Sequence, residues 1–356
     1  MIRFGGVGLR RGLGLLETLA KHPQVDVVAV CDQALDGRLK DAAPVDQLRR
    51  SGAKIEATYD DFDRFCEHEM DAVLIATPPP AHAAMSVAAL NANLHTLCEV
   101  PAIYNGLDEA DTLLDAARRS RAKYMMAENC CYWGFIQTWK QVVADGRIGR
   151  VTYAEAEYVH DVPELMTAPD GSLTWRAGLY PLQYLTHSLG PILDVIDDRV
   201  VSVVAMDTGP QREPAWSTPD QAVGLFRTAG GCVIKVLCSF SNARQPPQHY
   251  YSIYGTTGVL ETPRQVPKTP ADLDDAPDLQ GPTATSPTRG VGAAKGSAED
   301  HRSADAAMLH DFVDCLIEDR PPPIDAVRAL EFTVPGLCAR ESAEHGSQPV
   351  VVPDYR

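Results

Sequence analysis

Tyr184 and His187 stand three residues apart within residues 178–194, GLYPLQYLTHSLGPILD. A helix turning roughly 100° per residue places them about 60° apart on one face, and a phenol beside an imidazole can pass protons to and from a substrate hydroxyl. Leu182, Leu185, Leu189, Ile192, Leu193 and Ile196 fall on the other side and predict the buried stripe. Gln183 and Asp194 flank the pair. Two readings are open: a face that is merely solvated, or the floor of a reactive pocket. Gly178 and Pro181 mark the helix entry, and Gly190-Pro191 interrupts its middle. A Tyr and a His at a kinked helix favour the second reading.

The elements that must position such a pair follow from the order of the chain. Residues 1–128 alternate short β-branched runs (2–5, 25–31, 72–76, 94–98 and 124–127) with helical stretches, the pattern of βαβ units and a parallel sheet. After the first strand comes Gly6-Val7-Gly8-Leu9-Arg10-Arg11-Gly12, where glycines let the backbone approach a pyrophosphate at a helix N-terminus. The third glycine of GxGxxG is displaced from position 11 to 12, so either the helix packs differently or the turn is one residue longer. Asp32 ends the next strand, 24 residues after Gly8. A carboxylate there accepts ribose hydroxyls and repels a 2′-phosphate, which favours NAD over NADP. Gly6, Gly8, Leu9, Arg10 and Asp32 are therefore the expected cofactor residues. Two loops at strand ends, ATPPPAH (76–82) and CEVPA (98–102), add Thr77, Pro78, His82, Glu99 and Pro101.

From residue 129 to 356 longer alternating segments at 151–160, 200–205, 222–227, 232–240 and 250–260 predict a large, mainly antiparallel sheet with one face helix-covered or solvated. The Tyr184/His187 helix falls between its first and second strands. Residues 264–300, rich in Pro, Ala, Gly, Thr and Asp, are expected as a long loop, and helices are expected over 304–317 and 326–342. The fold class is thus α/β in two domains, 1–128 and 129–356.

With 356 residues, 48 acidic against 32 basic side chains and a net charge of -16, the chain is a poor partner for nucleic acid or anionic membranes. No apolar run is long enough for a bilayer. The opening strand leaves no room for a signal peptide, so the cytoplasm is the expected compartment. Nine cysteines without a CxxC fit reduced thiols, and no metal site is expected.

Taken in register, Gly6-x-Gly8, Asp32, ATPPPAH, CEVPA and IYGTTGVLE (253–261) resemble the Gfo/Idh/MocA oxidoreductases, nearly end to end. That resemblance implies a Rossmann domain, an α/β domain with an open sheet, a sugar or cyclitol substrate, and dimers or tetramers packed through the open sheets. Most dehydrogenases of the family carry Glu-Lys-Pro where this chain has Glu99-Val100-Pro101, and valine can neither donate nor carry charge. The chain is closer to the NAD-dependent glycosidases of glycoside hydrolase family 109 and its relatives. Their motifs match Glu128-Asn129-Cys130-Cys131-Tyr132, Tyr158-Val159-His160-Asp161 and Tyr184-Leu185-Thr186-His187, and a His-x-x-x-Asp stretch matches His301 and Asp305.

The implied reaction oxidises C3 of a glycoside, eliminates the aglycone after loss of the C2 proton, adds water and restores the hydride. His187 is expected to take the C3 hydroxyl proton with Tyr184 beside it. Tyr158 and His160, two residues apart on one sheet face, are candidates for C2 deprotonation and water addition. Glu128 holds sugar hydroxyls or orients His160, unless it simply pairs with an arginine; the two tyrosines are alternatively core aromatics. Asp161, Trp175 and Arg176 are candidates to line the sugar site, Arg176 suiting an acidic or sulfonated sugar; His301 and Asp305 join them as substrate candidates. A plain NAD-dependent sugar or cyclitol dehydrogenase is the alternative, and a non-catalytic NAD-binding regulator a third reading.

Overall fold

The computed structural model describes residues 1–33, 43–242, 244, 247–264 and 298–356, with side chains of the last segment described from 303 onward. Two compact units result. In the first, β1 (Ile2–Val7), α1 (Gly12–Leu19), β2 (Val25–Cys31), α2 (Ala43–Arg50), β3 (Ala57–Tyr59), α3 (Phe62–Cys66), β4 (Ala72–Ile75), α4 (His82–Asn91), β5 (His95–Cys98), α5 (Asp108–Arg119) and β6 (Tyr124–Met126) alternate. The described strands pair in the order β3-β2-β1-β4-β5-β6, all parallel. This is the doubly wound dinucleotide order. Central β4, AVLI, is buried at every position, as a strand covered on both faces requires. Strand β3 is absent from the sequence reading because three residues, ATY, carry too little alternation to register.

In the second unit the chain forms α6 (Gly134–Ala144), β7 (Val151–Val159), α7 (Thr186–Ile196), β8 (Val200–Asp207), β9 (Ala222–Thr228), β10 (Val233–Ser239), β11 (Gln248–Gly255) and β12 (Val259–Glu261). Helix α8 (Ala298–Ile317) and helix α9 (Ala326–Glu344) follow, then β13 (Val350–Val351). The second sheet runs β12-β11-β7-β10-β9-β8-β13, antiparallel except for β10 beside β7. The segment expected as one strand over 250–260 is two, parted by a turn at Thr256–Gly258 whose Gly255 N–H reaches Gly258 O.

The units are not the consecutive halves expected from the sequence. Residues 298–337 and 353–356 return to the first unit, while 338–352 belong to the second. The cause is packing: Phe312 on α8 meets Phe4 on β1 edge to face at 6.2 Å, and Met126 N–H bonds to Ile324 O at 2.9 Å. The loop expected over 264–300 lies outside the described residues except for its ends, where 298–300 already belong to α8. No helix among the described residues is long and apolar enough to cross a membrane.

Helix α7 starts later than its sequence suggests. Pro181–Tyr184 form a separate 3-10 turn, so Tyr184 precedes the helix and His187 lies in its first turn. Leu182, Leu185, Leu189, Ile192 and Leu193 are buried as expected. Pro191 does not end the helix. It removes the amide that would bond to the His187 carbonyl, and the Tyr251 hydroxyl from β11 donates to that carbonyl instead. Asp197, at φ 48°, closes the helix in the left-handed region.

Candidate active site

In the first unit the β1–α1 turn is built for close approach. Gly8 has φ +84°, and a Cβ there would stand 2.5 Å from the Ala76 carbonyl oxygen, so only glycine fits. Gly12 opens α1, and a Cβ on it would lie 3.1 Å from the Ala76 Cβ. The turn is therefore one residue longer than GxGxxG, and Gly12 takes the close-packing place of the third glycine. Leu9 N–H donates to Asp32 Oδ2 at 2.7 Å, which fixes the carboxylate at the C-terminal end of β2. These residues fit the adenosine half of NAD: a glycine turn, a helix N-terminus and an acid for the ribose. Gly6 is buried beneath the turn, Thr77 is half-buried, and Arg10 and Pro78 are exposed.

Two of the expected ligand residues, Glu99 and Asp305, have partners within the unit. Arg11 Nε donates to Glu99 Oε1 at 2.9 Å, and its two terminal nitrogens clamp Asp305 at 2.9 and 2.8 Å. Asn129 donates to the same Asp305 carboxylate at 2.9 Å. Desolvation works against the guanidinium charge, but Glu99 and Asp305 outweigh it and raise the Arg11 pKa. Glu99 and Asp305 thus brace the glycine turn from β5 and α8. No local pattern foretells this pairing of residues 11 and 305.

His82 is buried at 1% exposure and turns inward. Its Nδ1 faces Pro101 O at 2.8 Å and its Nε2 faces Thr77 O at 2.7 Å. Both carbonyls can be satisfied only by an imidazolium, since a neutral ring has one N–H. It ties the 76–82 loop to the 98–102 loop. Burial disfavours the charge, but the Cys98 side chain and the two carbonyls prevail and raise the pKa to about 9. Tyr124, whose own pKa burial raises, adjoins Cys98. Because the folded value lies above 6.5, the stabilising charge is complete below pH 6.5 and is lost as pH rises through about 9. The melting temperature should therefore fall across that window in the native chain, with a flatter profile in His82→Gln. An equal slope in the variant would exclude His82 as its source.

Glu128 and Pro101 are also buried in the first unit, with Glu128 Oε1 accepting from Cys130 N–H at 3.1 Å. The side chain of His301 lies outside the described residues.

The second unit gathers the expected proton-carrying groups. Tyr158 on β7 faces α7, its hydroxyl 3.0 Å from His160 Nδ1. The His187 ring lies edge-on to Tyr158 and to Tyr184, at 5.5 Å from each. Phe240 closes the group with ring contacts of 5.3 Å to Tyr158 and 5.7 Å to Tyr184. His249 was not foreseen. It pairs with Tyr158 across β7–β11 and stacks on its ring at 4.3 Å, with Trp133 edge-on behind it at 5.0 Å. Alternation from Tyr251 would have placed it on this face, but the strand was read as starting one residue later.

Asp161, expected to meet sugar, is bound by Arg212, which also donates to Ser241 O. Arg176 lies with its guanidinium carbon 4.4 Å from the Trp175 ring centroid and 5.9 Å from that of Tyr184. Two phenols and three imidazoles thus converge on one side of the second sheet.

Comparison with known proteins agrees with both units. Residues 2–128 match a family model described as "Oxidoreductase family, NAD-binding Rossmann fold", and residues 136–261 one described as "GFO/IDH/MocA C-terminal domain". A glycosyl hydrolase family 109 protein of Solibacter usitatus is 27% identical over 99% of this chain and 88% of its own length. An alpha-N-acetylgalactosaminidase of Bacteroides fragilis is 26% identical over 100% of this chain and 92% of its own. Among solved structures, a scyllo-inositol dehydrogenase from Lactobacillus casei with NAD(H) and scyllo-inositol superposes with a TM-score of 0.76 at 19% identity, covering 99% of each chain.

Proposed function

Since the chain belongs to the Gfo/Idh/MocA oxidoreductases and carries their NAD-binding domain, we propose that it is a redox-neutral, NAD-dependent glycoside hydrolase. One observation carries the reading: Tyr158, His160, Tyr184, His187 and His249 stand within ring-contact distance in the second unit. Oxidising an alcohol needs one base. Elimination followed by water addition needs a second base and an acid, and this cluster offers them. The buried Val100 where dehydrogenases of the family carry lysine supports the same choice.

The Gly8–Gly12 turn and Asp32 would hold NAD⁺, which when bound would supply reversible acceptance of the C3 hydride. His187 takes the C3 hydroxyl proton, with Tyr184 orienting the sugar at its edge. The ketone then makes the C2 hydrogen acidic. Tyr158 removes it, its own hydroxyl proton passing to His160 across the 3.0 Å bond; His249, stacked on the Tyr158 ring, holds the phenol in place. The electron pair left at C2 forms the C1–C2 double bond and expels the aglycone, whose oxygen takes the proton held on His160. In the return half, His160 takes a proton from the water that adds at C1, Tyr158 gives its proton to C2, and the bond between the two restores both groups. Trp175 and Arg176 bound the sugar, and Glu128 and His301 remain substrate candidates from the sequence.

Aryl glycosides in deuterated water test this directly. Aglycone release with deuterium at C2 and no net NADH is the expected result. NADH rising in step with a ketosugar, with no aglycone released, would make the protein a dehydrogenase, the activity named for its structural neighbours.

We further propose a homodimer or homotetramer in the cytoplasm. Its support is the sheet face opposite α7, where Met206, Leu225 and Val351 are 60%, 51% and 79% exposed. Placing glutamates at 206 and 225 is expected to reduce the mass measured by light scattering. An unchanged oligomer would refute that interface.

A further inference from the structure

The guanidinium of Arg176 has no carboxylate partner among the described residues, in a chain with 48 acidic against 32 basic side chains. Its neighbours in the same unit are treated differently. Arg212 is neutralised by Asp161, Arg264 by Glu155 and Glu157, and Lys140 by Asp194. The half-buried Arg176 instead lies over an indole and near the phenol of Tyr184. Its backbone is fixed: Thr174 Oγ1 accepts from Arg176 N–H at 3.3 Å and donates to Leu165 O at 2.6 Å, while Thr218 N–H holds Ala177 O at 2.9 Å.

Two consequences follow. Arg176 covers a face of Trp175 on which a neutral pyranose would stack, so the aromatic ring serves the cation. The pairing of Asp161 with Arg212 also occupies the one acid singled out beside the sugar. A stacked, rigid guanidinium next to Tyr184 is a fork for a carboxylate, sulfonate, sulfate or phosphate.

We infer that the substrate is an anionic glycoside, its charged substituent held by Arg176 between Trp175 and Tyr184. This rests on the glycosidase reading only for the word glycoside; the anion site stands without it.

The test uses the NAD-loaded enzyme and 4-nitrophenyl glycosides in matched sets, hexoses against the same sugars carrying a carboxylate, sulfonate or phosphate at C6. Calorimetric binding of the corresponding methyl glycosides runs in parallel. The ratio of kcat/KM, anionic over neutral, is expected to be about 100 in the native chain, to fall by about 100-fold in Arg176→Gln chiefly through KM, and to recover in part in Arg176→Lys. Which anion leads distinguishes the sources. Retained NAD and an unchanged melting temperature show that the variant is folded. Equal cleavage of neutral and anionic sugars, or a ratio that Arg176→Gln leaves in place, would overturn the assignment. If no aglycone leaves any compound yet the anionic methyl glycosides bind and lose affinity in Arg176→Gln, the hydrolase reading fails and the anion site stands.

Discussion

His187→Ala is expected to lower aglycone release by about 10²–10⁴-fold, the span associated with loss of a positioned general base, while NAD stays bound. The imidazole occupies the junction of the cluster, 5.5 Å from both Tyr158 and Tyr184 and 6.3 Å from His249. No neighbouring ring can move into its place without leaving its own contacts. Because His187 is proposed to take the C3 hydroxyl proton, hydrogen exchange at C3 of a bound sugar should fall with cleavage. Full cleavage and full C3 exchange in the variant would remove His187 from the mechanism.

Asp32→Ala should raise the dissociation constant for NAD by about 10- to 100-fold, since charge-assisted hydrogen bonds contribute about 1.5–3 kcal/mol each. The carboxylate has two tasks. One oxygen anchors Leu9 N–H at 2.7 Å and so shapes the turn that Gly8 and Gly12 make possible; the side chain is also the proposed acceptor for the ribose. Asp32→Asn separates them, because its amide oxygen keeps the Leu9 bond without the charge. Calorimetry that finds NAD affinity intact in Asp32→Ala would show that the cofactor is held elsewhere.

The doubly wound sheet was legible because parallel strands buried on both faces are written as short continuous apolar runs, and the glycine turn and Asp32 declare themselves by spacing. The Tyr158/His160 and Tyr184/His187 pairs were legible for the same local reason. What escaped was non-local. Arg11 meets Asp305 at a separation of 294 positions, and a sequence has no grammar for that distance. Glu99 and Asp305 look like ligand contacts when each is read alone, yet both are spent on Arg11. His82 reads as a residue of a cofactor loop, and only its two carbonyl partners reveal an inward role. His249 was hidden by one position in the start of a strand. The return of 298–337 to the first unit is likewise a matter of packing, set by Phe312 against Phe4 rather than by any break in composition.

The proline in α7 vacates one acceptor and the tyrosine in β11 takes it: where a backbone amide would have bonded to the His187 carbonyl, a phenol does. The two positions therefore behave as a single heritable unit. Replacing Pro191 by alanine alone adds a second donor to that oxygen, and replacing Tyr251 by phenylalanine alone removes its phenol donor. Changing both restores an ordinary helical bond but removes one hydrogen bond between the helix and the strand. Descendants of this chain would be expected to keep the pair or lose it together, and a designer transplanting the histidine to another scaffold would have to carry both residues with it.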